Sequence, residues 1–187
     1  IENTSGSFSW ADQPTAGISY VRAAFSTDAV SAEQLPLLPF FGKACMQTGT
    51  AKRDYVALAQ AIDLHTGGLS AYAHCRSKLR NPQAAPGTLV FGGKVLTAKA
   101  DKLIDLLREI WASARFDDAA RLLDIARASL TRLESSMPSS GHTVVRRRLA
   151  ATLSRAGAQA ELFAGISQHR YLKELVARLE TAPESVM

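Results

Sequence analysis

Two cysteines, Cys45 and Cys75, are all the thiol chemistry in 187 residues. They show no pairing pattern and follow no signal peptide, so the chain reads as a reduced protein of the cytoplasm or mitochondrial matrix. A Cys45–Cys75 disulfide is the less favoured alternative. Both thiols are expected to be mainly buried, Cys45 in an apolar helix and Cys75 on the apolar side of a strand. Histidine is also scarce: of four, only His65 and His74 lie near each other, and neither C-x-x-C nor H-x-x-x-H spacing occurs. That argues against a Cys/His metal site, and the sequence implies no metal or cofactor in this segment. No apolar run approaches the roughly 20 residues that span a bilayer, which argues against a membrane partner. The net charge of +5 would suit an anionic partner, but aromatics make up only 7% and Arg146-Arg147-Arg148 is the one tight basic run. Without an aromatic platform or a base-reading motif, it reads as a solvated helix face rather than a nucleic-acid site.

What is present is the composition of a compact domain, 47% hydrophobic and 21% charged. Residues 1–16 are rich in Ser, Thr, Asp and Pro and read as a lead-in; residues 17–187 read as a single domain. Because the chain begins at Ile1, it reads as a piece of a longer protein. Ile18 to Ser26 has β-branched and aromatic content, with Val21, Ala23 and Phe25 on one face, and predicts a strand. Ser31, with Gln34 at the third helical position, predicts a helix through the apolar Leu35 to Met46, bent early by Pro36 or Pro39. Thr50 is the expected cap of a second helix that buries Tyr55, Leu58, Ala59 and Ile62 and stops at Gly67-Gly68. Leu69 to Arg76 alternates, Lys78 to Gly87 with Pro82 and Pro86 reads as a connection, and Thr88 to Leu96 supplies a strand antiparallel to its predecessor.

From Thr97 the period is helical. Leu103, Ile104, Leu106, Leu107, Ile110 and Trp111 make one apolar face, and Asp117 or Asp118 begins a helix carrying Leu122, Leu123, Ile125, Ala126, Leu130 and Leu133. After a break at Ser135 to Gly141, Val144 to Ala156 and Gln159 to Leu179 read as further helices, the last interrupted near Gly165. This order predicts an α+β fold, an antiparallel sheet with helices packed on one face.

Gly17-Ile18-Ser19-Tyr20-Val21-Arg22, Gly49-Thr50 and Thr66-Gly67-Gly68-Leu69-Ser70, in that element order, resemble the third domain of the presequence-protease branch of the pitrilysin/insulinase zinc metallopeptidases. The resemblance covers the chain from about Asp12 onward and implies a metallopeptidase-like α/β repeat domain, incomplete at its C-terminus, in the second half of a clamshell peptidase. In that family an inverted His-x-x-Glu-His motif precedes a Gly-Thr pair. Placed by that pair, its three functional positions fall on Phe40, Lys43 and Ala44, an aromatic, a cation and a methyl. Zinc hydrolysis needs two imidazoles and a carboxylate there. The resemblance therefore implies a degenerate motif, zinc held in the parent's first domain, and the parent's other domains and unstructured peptides as partners. The family's substrate-binding Arg and Tyr are expected in the following domain and are not carried onto Arg170-Tyr171.

Other motifs are weaker. Ser139-Ser140-Gly141-His142 lacks a nucleophile elbow and reads as a helix cap. Gly92-Gly93-Lys94 lacks the spacing of a P-loop and reads as a strand bulge. Tyr72 and Trp111 read as packing residues, His65 as a helix C-terminal residue and His74 as a strand residue facing solvent or the chamber. The favoured function is a non-catalytic, substrate-enclosing domain. Alternatives are a stand-alone peptide-binding module that adds a strand to a sheet edge and, last, an independent hydrolase.

Overall fold

The computed structural model describes residues 8–81 and 84–185. Residues 1–7 of the expected lead-in, and Pro82 of the expected connection, lie outside them. Among the described residues, a three-stranded antiparallel sheet is combined with seven α-helices. The strands are β1 (Ile18–Ser26), β2 (Leu69–Cys75) and β3 (Gly87–Leu96), in the spatial order β1-β3-β2. The first two helices are α1 (Leu38–Cys45) and α2 (Tyr55–His65). After β3 come α3 (Ala100–Ser113), α4 (Ala119–Ser136), α5 (Gly141–Leu153), α6 (Arg155–Ala164) and α7 (Ile166–Thr181).

Period-2 alternation sorts the sheet residues between two faces. Val21 and Ala23 of β1, Leu69, Ala71 and Ala73 of β2, and Leu89, Phe91 and Val95 of β3 turn one way, where α1, α3 and α6 cover them. Leu58, Leu103, Leu107 and Ile110 complete this first core and are almost inaccessible to solvent. Burying such a side chain contributes roughly 1.5–3 kcal/mol. A second core lies behind α1, where Phe40 and Ala44 pack with Leu122, Ile125 and Ala126 of α4 and Leu172, Leu175 and Leu179 of α7. Leu38 and Cys45 belong to the first core, so α1 is a wall shared by both. α5 lies outermost, packed chiefly on α6, and buries no residue completely.

Several local expectations give way to side-chain chemistry. The Ser31 segment makes a turn, with Leu35 N–H donating to Ser31 C=O, and a short 3-10 turn at Leu35–Leu37 precedes α1. Pro36 and Pro39 sit at the starts of these elements rather than bending a longer helix, since a missing N–H costs nothing there. Asp54, not Thr50, caps α2, its Oδ1 accepting from Ala57 N–H at 2.7 Å. The inward face of α2 carries Leu58, Ala61 and Ile62, while Tyr55 and Ala59 are exposed.

β3 runs through Gly92 and Gly93 in unbroken register with both neighbours, so no bulge forms. Glycine is needed for space: a Cβ on Gly93 would come within 2.6 Å of Leu69 Cδ2 and 2.8 Å of Leu103 Cδ1. Val144 to Ala156 is not one helix, because α5 ends at Leu153 and Ser154 caps α6, its hydroxyl accepting from Gly157 N–H at 3.0 Å. The interruption at Gly165 is present.

Candidate functional site

Phe40, Lys43 and Ala44 fall at i, i+3 and i+4, and so share one face of α1. That face is turned inward. Phe40 is 5% and Ala44 1% exposed, both within the aliphatic second core. Lys43 is half-buried, its Nζ donating to Ser129 Oγ on α4 at 2.8 Å. Burial, then the nearby Arg132 guanidinium, hold the Lys43 ammonium below its ordinary pKa. Among the described residues no group of three or more His, Cys, Asp or Glu is placed to hold a metal ion.

His74 and Cys75 are neighbours on β2, whereas Cys45 lies on α1 and His65 on α2. His65 ends α2, and His74 Nδ1 pairs with Thr88 Oγ1 across the sheet at 2.7 Å. Cys45 and Cys75 are free thiols; Cys45 is buried, whereas Cys75 is only half-buried, its Sγ donating to Ala85 C=O. Burial pushes the Cys45 thiol up to about 11 and Cys75 in the same direction. Ser140 occupies the cap position of α5 but its side chain makes no capping bond, and His142 is exposed.

The Gly49-Thr50 pair is a structural junction. Gly49 has φ +92°, and a Cβ there would lie 2.8 Å from Arg53 C=O, so both conformation and space demand glycine. The Thr50 hydroxyl accepts from Lys52 and Arg53 N–H and donates to Glu109 Oε1 of α3 at 2.7 Å. Arg53 forms an ion pair with the other Glu109 oxygen. Burial alone would raise the Glu109 carboxyl; the Thr50 and Arg53 bonds outweigh it and hold the group below its ordinary range. Backbone bonds from Ala51 N–H to Ser113 C=O and from Arg115 N–H to Gly49 C=O fasten the same loop to the end of α3. Glu109 is one of three acids on amphipathic α3, with Asp101 and Asp105, and nothing in the sequence alone sets it apart for this role.

The sheet face away from the first core carries Tyr20 and Arg22 of β1, Ser70, Tyr72 and His74 of β2, and Gly92 and Lys94 of β3. A trough of about 330 Å³ runs between the Tyr20–Arg22 and Ser70–Tyr72 sides, over Gly92. A Cβ on Gly92 would lie 3.0 Å from Val21 C=O and 3.2 Å from Arg22 Cγ, so glycine keeps this part of the central strand low. Tyr72 is exposed and stacks obliquely near His74, which places it on the open face rather than in a core. Trp111 packs edge-on against Phe25 and Phe91.

Two of the segments that carry the resemblance, Gly49-Thr50 and Thr66-Gly67-Gly68, solve geometric problems. Thr66 donates to Ile62 C=O and accepts from Gly68 N–H, while Gly68, at φ +111°, turns the chain from α2 into β2. Known proteins are similar to this chain in sequence. Residues 1–175 match the family described as peptidase M16-C associated. The chain is 32% identical over 171 residues to the mitochondrial presequence protease of Xenopus tropicalis, an overlap of 91% of this chain and 17% of that protein. It is 28% identical over 172 residues to presequence protease 1, chloroplastic/mitochondrial, of Arabidopsis thaliana (92% and 16%). With the protein HypA of Clostridium perfringens it shares 30% identity over 164 residues (86% and 16%). The chain therefore spans about a sixth of the length of the curated relatives that it matches. A match over this much of the chain makes it a member of the peptidase M16-C associated family.

Proposed function

We propose that the chain is a non-catalytic, substrate-enclosing domain of a zinc metalloendopeptidase that degrades unstructured peptides, with Phe40, Lys43 and Ala44 at the positions of a degenerate His-x-x-Glu-His motif. The observation that carries this reading is the environment of that α1 face. A hydrolytic centre needs ligands that converge on an open coordination position with room for water and substrate. Here Phe40 and Ala44 are embedded among leucines and isoleucine, and Lys43 puts a cation where a carboxylate would activate water. The domain's contribution is then its surface. The uncovered sheet face, with its trough and its Tyr, Arg and Lys side chains, can lie along an extended peptide without cutting it. The partners in this reading are the other domains of the parent peptidase, with zinc in the first of them, and the peptide substrate.

A fluorogenic flexible peptide, assayed against the 187-residue chain and against the longer parent with and without chelator, tests the proposal. The expected result is no turnover by the chain and chelator-sensitive turnover by the parent. Chelator-sensitive turnover by the pure chain would overturn it. The alternative of a stand-alone peptide-binding module draws on a different observation, the edge positions of β1 and β2, and gains if the parent is inactive.

A further inference from the structure

The end of the second core nearest Lys43 is not filled. A cavity of about 440 Å³ opens between α1, α4 and the α6–α7 junction, within the range of sites that hold small organic groups. Its walls are apolar, supplied by Phe40, Leu133, Phe163 and Leu172, and its polar groups are few. Two are cations, Lys43 and Arg132, close enough for Arg132 to act electrostatically on Lys43. Neither has a carboxylate partner among the described residues: Lys43 Nζ meets only the neutral Ser129 hydroxyl, and Arg132 makes no side-chain ion pair. The others are the Ser129 and Ser136 hydroxyls and Gln168, 3% exposed, whose Oε1 is fully buried with no donor. Arg132 is exposed and adds positive potential, while the half-buried Lys43 ammonium without a counterion and the buried acceptor without a donor each cost free energy where they stand.

One ligand chemistry answers both deficits. A carboxylate satisfies the cations, an N–H close to it satisfies Gln168 Oε1, and an apolar side chain fills the remaining volume. In the last residue of a peptide the amide N–H and the carboxylate flank the same Cα. We propose that this cavity is a binding site for the C-terminal residue of a peptide ending in an apolar side chain, its carboxylate held by Lys43 and Arg132 and its amide N–H donated to Gln168 Oε1. An acidic side chain within a segment could offer the carboxylate but not an adjacent N–H in the same relation. This proposal does not rest on the enclosure reading, since the cavity lies on the helical side of the fold and not on the open sheet face.

Titrating the ¹⁵N-labelled 187-residue chain with acetyl-Ala-Leu free acid, with its C-terminal amide, and with acetyl-Ala-Glu-Leu amide separates the possibilities. The free acid is expected to bind at millimolar concentration or better and to shift amide signals of α1, α4 and the start of α7. The amide is expected to bind at least about tenfold more weakly, the scale of one lost charge-assisted contact. Lys43→Met and Arg132→Met should each weaken the free acid by a similar factor, with signal dispersion showing that the fold is retained. Gln168→Leu should weaken binding while raising the midpoint of thermal unfolding, because it removes the orphaned acceptor. Equal binding of acid and amide, no binding of either, or shifts confined to other elements would overturn the assignment. Binding of the internal-Glu amide as tight as that of the free acid would overturn its terminal character.

Discussion

Glu109 shows how one side chain can serve two neighbours at once. Its two oxygens are divided between the Thr50 hydroxyl and the Arg53 guanidinium, joining the loop before α2 to α3. Its folded pKa lies below the ordinary 4.5, so the stability it contributes is fully present above that value and is lost as the pH falls through the folded pKa. Glu109→Gln is therefore expected to cost about 1 kcal/mol at pH 7, with the difference from wild type shrinking as pH drops below 4.5; denaturant unfolding across pH 2–7 measures it. A constant difference over that whole range would contradict the account. The two thiols differ in the same local way. Cys45 is buried and its thiol is pushed up to about 11, whereas Cys75 is half-buried. A thiol reagent at pH 8 should label Cys75 first and Cys45 only as fast as the core opens, and equal rates would be incompatible with this packing.

Among the elements, helix and strand periodicity carried most of the information. The strands and the inner faces of α3 and α4 follow directly from alternating or 3.6-fold apolar residues. What periodicity could not reveal was competition between neighbouring polar residues. Thr50 and Asp54 can both cap a helix, but the Thr50 hydroxyl accepts from Lys52 and Arg53 N–H in a turn tied to Glu109 while Asp54 accepts from Ala57 N–H, so α2 starts four residues later and its buried face turns to Leu58, Ala61 and Ile62. Gly92-Gly93 was legible as a special place but not as a close approach, because Leu69 and Leu103 come from other elements. The cavity beside Lys43 was not legible, since Arg132, Phe163 and Gln168 meet only in three dimensions. The α5–α6 joint has the same character: a Cβ on Gly157 would lie 2.0 Å from Ala150 C=O, so the two helices cross backbone to backbone. Gly157→Ala should cost roughly 1–3 kcal/mol by forcing them apart. Hydrogen exchange should then accelerate in α5 while α3 stays protected. Unchanged protection of α5 would refute that close crossing.

For the molecule as a whole, the decisive arrangement is the shared position of α1. Leu38 and Cys45 point into the sheet core and Phe40 and Ala44 into the helical core, while a Cβ added at Gly42 would already touch Ala71 of β2. Phe41 is the helix's one exposed residue, at 38%. The two cores should consequently melt together as one unit despite the layered architecture.

This enclosure also makes the helix a poor place to build a metal site. Phe40→His, Lys43→Glu and Ala44→His together would write the letters of a zinc motif but would bury two imidazoles against Leu122, Ile125 and Leu172, with a half-buried carboxylate beside them. Several kcal/mol of unpaired polar burial, set against a total stability of about 5–15 kcal/mol, would be lost before any metal arrived. The expected outcome is a triple variant that unfolds far more easily and retains no zinc after dialysis. Three substitutions on a face closed over by hydrophobic packing therefore do not make a hydrolytic centre, because α4 and α7 would have to change with it.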